Sequence, residues 1–594
     1  MFRLLRRAYG AYSTQIAALA ALGFLGGLLE GIGINAVVPL LTFIFTESAQ
    51  AFDPISNILR SVFTFIGIDF APKYLLAFIV IMFLARAAVM YALSYIQTVI
   101  SFNYERDTRV RVFETLLRSS WSHHLARKFG HLETIIMIDA PASTNLLRKL
   151  SNLITLATGL IMYLIVAFNI SPAVTFLTFA VGVCGLLFFR YFLTMIHARS
   201  SERVALNKEV AHYMGEYAAG AKAIKASGTE EVVAESGVDL FSRLRNISVS
   251  ISLVQQVAVL IIPPAGILYI ALIFGVAYRT DFIQLAALPA IIYLIYRISL
   301  YAQQGQDHLQ GIQELVPHLQ SVLAFEEKSR QKEEHIGGDK LFAFHKELRF
   351  DDVHFSYDDG REALKGVSFT VKGRSTVGIV GPSGAGKTTS VDLMLRLLEP
   401  TNGAITLDGV NVRDISLQSW RAKTGYVPQE PFLLHDTIRN NVLFQFKGNG
   451  GQDALSDADV WHFLKMADAE DFVRAMPEGL DSMVGDRGVT LSAGQRQRLV
   501  IARELARKPE LLILDEATSA LDSESEARLQ KVIQKLKGSV TIVIIAHRLS
   551  TILESDKLVV LKEGTVAEPI ASPEAMLRTA GSYLSHIFSL NKSL

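Results

Sequence analysis

Nearly all the long apolar runs of this chain lie in residues 1–325, whereas residues 345–594 have the mixed composition of a soluble α/β domain. That asymmetry rules out one shared hydrophobic core. At 594 residues, with 50% hydrophobic and 19% charged side chains, the chain has room for several domains and is apolar for a soluble protein. The expectation is a multi-domain fold: an all-α domain over 1–325, a charged linker over 326–345, and an α/β domain over 346–594. The formal net charge of +1 argues against nucleic acid as a partner, and the single Cys184 excludes an intrachain disulfide or a cysteine-based zinc site.

A helix needs about 20 largely apolar residues to cross the hydrocarbon core. Six segments meet that length, at about 15–46, 74–102, 147–169, 172–196, 249–277 and 282–305. Between the second and third lie Arg106, Arg109, Arg111, Arg118, Arg127, Lys128, Arg148 and Lys149. Between the fourth and fifth lie Arg199, Arg203, Lys208, Lys222, Lys225, Arg243 and Arg245. The connections at 170–171 and 278–281 are short and almost free of positive charge. The Lys/Arg bias therefore puts both basic segments, both termini and the 346–594 domain in the cytosol of a multi-pass cell-membrane protein, with the bacterial inner membrane as the expected setting. The basic segments are read as helices continuing out of the all-α transmembrane domain, turning near 122–130 and 211–220 to meet the 346–594 domain.

Ionisable residues inside spans are costly and usually face a cavity or a partner. Glu30, Arg86 and Arg297 are the candidates, and Arg86 and Arg297 are expected at one level. Two arginines suit an anionic head group such as a phosphate or pyrophosphate; an internal pairing with Glu30 is the plainer reading. In the connection 47–73, Ile55, Ile58, Leu59, Val62, Phe63 and Ile66 form a helical apolar stripe, fit to contact membrane lipids or a lipidic substrate or simply to cap the spans.

In the second half, Val377–Val380 is a short buried strand followed by Gly381-Pro382-Ser383-Gly384-Ala385-Gly386-Lys387-Thr388-Thr389, which fits G-x-x-x-x-G-K-[ST] ahead of a helix at about 387–397. Glycines let the backbone approach phosphate oxygens, the N–H groups and helix N-terminus supply positive potential, Lys387 reaches the terminal phosphates of ATP, and Thr388 offers a hydroxyl to Mg2+. A second apolar strand, Leu511–Leu514, delivers Asp515 for the metal and Glu516 to orient or deprotonate water. A third, Thr541–Ile545, leads to His547, placed to stabilise the γ-phosphate. Residues 346–594 are thus an expected P-loop nucleotide-binding domain and the chain an expected ATPase, with Glu516, His547 and Lys387 as catalytic residues and ATP and Mg2+ as cofactors.

These motifs, in this order and after six spans, resemble a half-transporter of the ATP-binding cassette (ABC) exporter superfamily, and the resemblance covers essentially the whole chain. It implies that Leu491–Gln495 is the signature motif, with Ser492, Gly494 and Gln495 contacting ATP held by an opposite subunit, and hence a dimer. It further implies that Gln429, in Tyr426-Val-Pro-Gln429, links metal and water to the membrane domain. Tyr357 stacks on adenine, Asp522 belongs to the D-loop Ser519–Asp522, and the two cytosolic turning points are coupling helices. The usual signature has glycine where this chain has Ala493, a change tolerated unless φ is positive there. With Lys387, Asp515, Glu516 and His547 all present, a homodimer with two working sites is expected.

The first-span sequence Gly27–Pro39, the intramembrane arginines and the apolar stripe are similar to features of bacterial lipid-linked oligosaccharide flippases. That similarity implies export or flipping of an amphipathic, lipid-linked substrate by alternating access. Exporters of other lipids, drugs or peptides are the nearest alternatives, and a nucleotide-gated channel or receptor is the alternative from another class.

Overall fold

The computed structural model describes residues 2–36, 40, 60–61, 63–65, 67–125, 129–170, 172–279, 288–444, 455–518, 522–546, 548–579 and 581–585. It divides into two compact units, 1–119 with 127–332, and 120–126 with 333–594.

Unit 1 is helical. Its long elements are α1 (Ser13–Asn35), α2 (Pro72–Leu117), α3 (Ala140–Ile170), α4 (Pro172–Ala219), the short α5 (Ala221–Ser227), α6 (Glu230–Arg279) and α7 (Leu288–Gln331). Among the described residues, four helical stretches are long and apolar enough to cross a bilayer: Arg3–Ile34, Pro72–Leu117, Pro172–Ala219 and Glu230–Gly275. The third and sixth expected spans fall on α3 and α7. The end of the first span, the end of the connection 278–281, the start of the sixth span and most of the apolar stripe at 55–66 lie outside the described residues. Phe63 of that stripe is buried with Ala36 and Leu75.

At about 1.5 Å per residue, α2, α4, α6 and α7 each run roughly 65–75 Å, over twice the ~30 Å hydrocarbon core, so the helices do continue past the membrane. Large apolar side chains such as Leu84, Leu186, Leu187, Leu260 and Leu268 are exposed along the spans, as a lipid-facing surface requires. Inside, Tyr9, Leu19, Leu93, Tyr104, Leu146, Ile312 and Leu319 make the principal core.

The helix ends sharpen two boundaries. The charged run after 326 is helical through Gln331, and the units part between Lys332 and Glu333. Its charges are partnered rather than merely solvated: Glu326 takes Arg111 at 2.6 Å and Glu327 takes Arg7. The second turn lies later than 211–220, because α4 persists to Ala219 and the chain reverses over Gly220–Thr229, where Gly228 caps α5 at φ +64. The first turn, Ser120–Ala126, groups with unit 2, where Ser120 and Ser122 line a cavity of about 440 Å³ with Tyr357, Leu397 and Thr401.

Unit 2 carries an antiparallel sheet, β2-β1-β4-β5, made of β1 (Glu347–Ser356), β2 (Glu362–Lys372), β4 (Asn402–Leu407) and β5 (Val410–Asn411). Phe350 and Phe369 stack at 4.4 Å across its β1–β2 register. The second sheet runs β10-β9-β3-β8-β7-β6, from β3 (Thr376–Val380), β6 (Thr424–Val427), β7 (Leu511–Asp515), β8 (Thr541–Ile545), β9 (Lys557–Lys562) and β10 (Thr565–Val566), parallel except for β10. Side chains alternate between two cores, Leu512, Leu514, Ile542 and Ile544 on one face and Leu511, Ile513, Val543 and Ile545 on the other. Burial on both faces explains why these strands read as unbroken apolar runs.

Candidate nucleotide site and intramembrane charge cluster

Strands β3, β8, β7 and β6 are neighbours and parallel, so the segments that leave their C-terminal ends emerge along one edge of the sheet. Those segments are the loop Gly381–Gly386, the approach to His547, the pair Asp515-Glu516 and the approach to Gln429. Open α/β sheets bind ligands at that edge. His547 itself, and Ser519–Leu521, lie outside the described residues.

The loop after β3 feeds α8 (Lys387–Met394), whose N-cap Gly386 has φ +97. A Cβ there would lie 2.5 Å from Leu364 Cδ2 and 2.9 Å from the Ala363 carbonyl, so glycine is required on two grounds. Pro382, Ser383, Gly384 and Thr388 are exposed, while Ala385 is buried beneath them. Lys387 is buried, and its Nζ donates to the carbonyls of Gly381 at 2.9 Å and Pro382 at 3.0 Å. Burial holds its ammonium below the usual lysine range, opposed by Glu516 and Asp515. Tyr357 follows β1 and pairs its hydroxyl with Thr389 Oγ1 at 2.9 Å, with the Arg361 guanidinium 4.9 Å over its ring.

Asp515 ends β7 and is buried; the Tyr426 hydroxyl donates to its Oδ2 at 3.2 Å. Burial raises the Asp515 carboxyl, with Tyr426 and Lys387 pulling it down and Glu516 pushing it up. Asp392 on α8 is pushed up to about 7 by burial and by the charge of Asp515. Neither Tyr426 nor Asp392 was singled out as a site residue from sequence, although Tyr426 stands in the stretch that ends at Gln429. Glu516 sits at φ +46, with its N–H donating to the Ile545 carbonyl at 3.0 Å. A non-glycine residue in the left-handed region costs about 1–2 kcal/mol and marks a position held by its surroundings.

No group of three His, Cys, Asp or Glu side chains could hold a metal among the described residues. Burial raises both Asp515 and Asp392, and the charge of Asp515 bears on Asp392, so ionising both is unfavourable without a compensating positive charge. With the Thr388 hydroxyl and the exposed Gln429 amide they offer hard oxygen donors of the kind Mg2+ takes.

The signature segment opens α9 (Ala493–Ala506). Ser492 accepts from the Gln495 N–H at 3.2 Å while Gln495 Oε1 accepts from the Ser492 N–H at 2.8 Å, a reciprocal capping box. These bonds close on each other, not on the loop 381–386. Ala493 is the first residue of the helix and has no positive φ, so its methyl costs no backbone strain. It lines a cavity of about 500 Å³ with Gln429, Gln497 and Ala517, which places Gln429 beside this end of α9. Gly494 is buried, and Asp522 caps α10 (Ser523–Leu536), accepting from the Ser525 N–H at 2.8 Å.

In unit 1 the three expected charges meet. Glu30 is 3% exposed; Arg86 reaches its Oε2 at 2.9 Å and Arg297 grips its Oε1. Arg297 Nε also donates to the Tyr163 hydroxyl at 2.9 Å, and Tyr301 donates to Glu30 at 3.1 Å. The plainer expectation, an internal pairing with Glu30, is therefore the arrangement found, and the two tyrosines were not anticipated. One carboxylate faces two guanidiniums, and the buried Arg86 Nε has no hydrogen-bond partner among the described residues.

Fold and site together define a membrane-helical unit joined to a P-loop nucleotide-binding unit. The family model for the ABC transporter transmembrane region matches residues 32–281 and that described as ABC transporter matches 364–519. The chain belongs to the ABC transporters, and its matches to curated relatives at 40–44% identity span less than half of those proteins' length. It is similar to an uncharacterized ABC transporter ATP-binding protein, YwjA, of Bacillus subtilis, at 44% identity over 221 residues, a match spanning 37% of this chain and 37% of that protein. The heterocyst differentiation ATP-binding protein HepA of a Nostoc species is 29% identical over 570 residues, covering 93% of this chain and 90% of that one. Among solved structures, a bacterial Atm1-family ABC exporter with ATP bound has the same fold, with a TM-score of 0.77, 24% identity and 99% of each chain covered.

Proposed function

We propose that this chain is an ATP-driven exporter working as a homodimer in a cell membrane, and that it moves an amphipathic substrate with an anionic head group, of the lipid-linked oligosaccharide kind. The observation that carries the reading is the intramembrane cluster of Glu30, Arg86 and Arg297. Its residual positive charge and its orphaned Arg86 donor, inside spans where charge is expensive, suit a phosphate-bearing head group.

At the nucleotide site, Lys387 exchanges its bonds to the loop carbonyls for the β- and γ-phosphates, and Tyr357 offers a ring to adenine. Glu516 orients the attacking water and takes its proton as the Oβ–Pγ bond breaks, releasing ADP and phosphate; His547 steadies the γ-phosphate. Thr388, Asp515 and Gln429 would hold Mg2+, which neutralises phosphate charge. A closing partner subunit would bring its own Ser492, Gly494 and Gln495 onto the γ-phosphate, coupling ATP binding to dimer closure and the 120–126 turn to the membrane helices.

The test is vectorial transport in proteoliposomes. Glu516→Gln should stop it, and transport continuing at the normal rate without hydrolysis would sink the pump and leave a gated channel. For cargo, ATPase stimulation is compared across polyprenyl-pyrophosphate glycans, lipid A-like lipids, drugs and peptides, with the glycolipid response expected to be lost in the double variant Arg86→Ala/Arg297→Ala.

A further inference from the structure

A second polar site lies in unit 1, away from the Glu30 cluster. A cavity of about 430 Å³ is lined by Asn145, Arg148, Lys149 and Asn152 of α3, Gln255 of α6, and Asp307, Gly311 and Glu314 of α7, with Leu315 the one large apolar side chain. Three helices whose neighbouring turns are apolar thus converge on a pocket of amides and charges. Tyr163 and Lys149 share α3, and at about 1.5 Å per residue their levels differ by about 20 Å, so this pocket sits near the end of the hydrocarbon core when the Glu30 cluster sits within it. Under the proposed orientation that end is the cytosolic one.

The charges in the pocket are unequally committed. Lys149 pairs with Asp307 at 2.7 Å, crossing Gly311, where a Cβ would come within 3.0 Å of the lysine Cε. Glu314 is taken by Arg203 at 2.6 Å and by Gln255 at 2.8 Å. Gln97 donates to Asn152 Oδ1 at 2.8 Å, leaving the Asn152 amide nitrogen to donate. Arg148 makes no ion pair among the described residues, and its exposed guanidinium and the Asn145 amide face the cavity with their hydrogen-bonding capacity unspent. A forked cation, free amide donors and tied carboxylates that still have lone pairs to accept from hydroxyls select a particular ligand chemistry.

We propose that this pocket is a receiving subsite for an anionic, hydroxyl-rich head group such as a glycosyl phosphate or pyrophosphate, held by Arg148 and Asn145, before the head group passes to the Glu30 cluster. The chemical class rests on the exporter reading above, but the binding site stands on its own lining.

The experiment measures binding of a water-soluble glycosyl pyrophosphate to the full chain in nanodiscs, in a Lys387→Ala background that removes phosphate binding at the nucleotide loop. Saturable binding is expected, weakened by about tenfold in Arg148→Ala, as loss of one charge-assisted contact implies, and partly restored in Arg148→Lys. The same sugar without its pyrophosphate should not bind. Absence of saturable binding, or an equal Kd in Arg148→Ala, overturns the subsite. Displacement of the probe by a polyprenyl-pyrophosphate glycan assigns the head group to a lipid, and no displacement assigns it to a soluble anion; either supports the subsite. Binding without ATPase stimulation by any lipid-linked glycan would sink the cargo reading alone, and stimulation without Arg148-dependent binding would sink the subsite alone.

Discussion

Arg86 and Glu30 meet at 2.9 Å across two membrane helices, on the same carboxylate that Arg297 holds from a third. Removing the shared acid strands two cations, whereas removing Arg86 leaves Glu30 still paired. Glu30→Gln should therefore destabilise unit 1 by about 3 kcal/mol, and Arg86→Ala by clearly less. Thermal unfolding in matched detergent checks this, and equal losses in the two variants would contradict a shared acid.

Glu516 is held in a left-handed backbone conformation, with its N–H donating to the Ile545 carbonyl. Glu516→Gln should keep ATP affinity and fold while lowering hydrolysis by at least about 100-fold, the scale of losing a general base. Nucleotide binding and phosphate release, measured on the same preparation, separate the two effects.

Asp392 titrates at about 7 in the fold and near the ordinary carboxylate value when unfolded. Because the folded value is raised, its contribution is complete below about pH 4 and is lost as pH climbs to about 7, where the folded carboxyl ionises beside Asp515. The nucleotide-free protein should lose melting temperature from pH 5 to pH 8, and Asp392→Asn should flatten that slope. An unchanged slope in the variant would place the titration elsewhere.

Ser492 and Gln495 cap α9 reciprocally, and Ala493 takes its first turn without positive φ. Ser492→Ala should cost about 1 kcal/mol of domain stability besides any loss at the nucleotide. Ala493→Gly should not raise turnover and should cost about 0.5 kcal/mol or less, since the position has no use for glycine's freedom. Denaturation and ATPase assays read both.

Much of the nucleotide site was legible because its parts are local. Gly381–Thr388 and the approach to His547 each follow a five-residue strand buried on both faces, and Asp515 ends another with Glu516 next, so an apolar run ending in a polar pair reports its own strand end. The roles of Tyr426 and Asp392 were not legible, since the Tyr426 hydroxyl reaches Asp515 from a neighbouring strand and Asp392 is perturbed through space. The run after 326 misled for a related reason. Charge density reads as solvation until Arg111 and Arg7 are seen to partner Glu326 and Glu327.

The sequence by itself determined that apolar helices precede a P-loop domain, that its phosphate-type loop follows a buried strand, and that three ionisable side chains lie in spans, because periodicity and contiguous motifs are properties of adjacent residues. Only the tertiary structure decided that Glu30 serves both arginines, that Tyr163 and Tyr301 close around them, and that Arg148 is left uncommitted in a polar pocket. Helical periodicity says which residues share a face; which face of which neighbour they meet depends on long-range packing, and so do the charges that are satisfied and those left to bind something else.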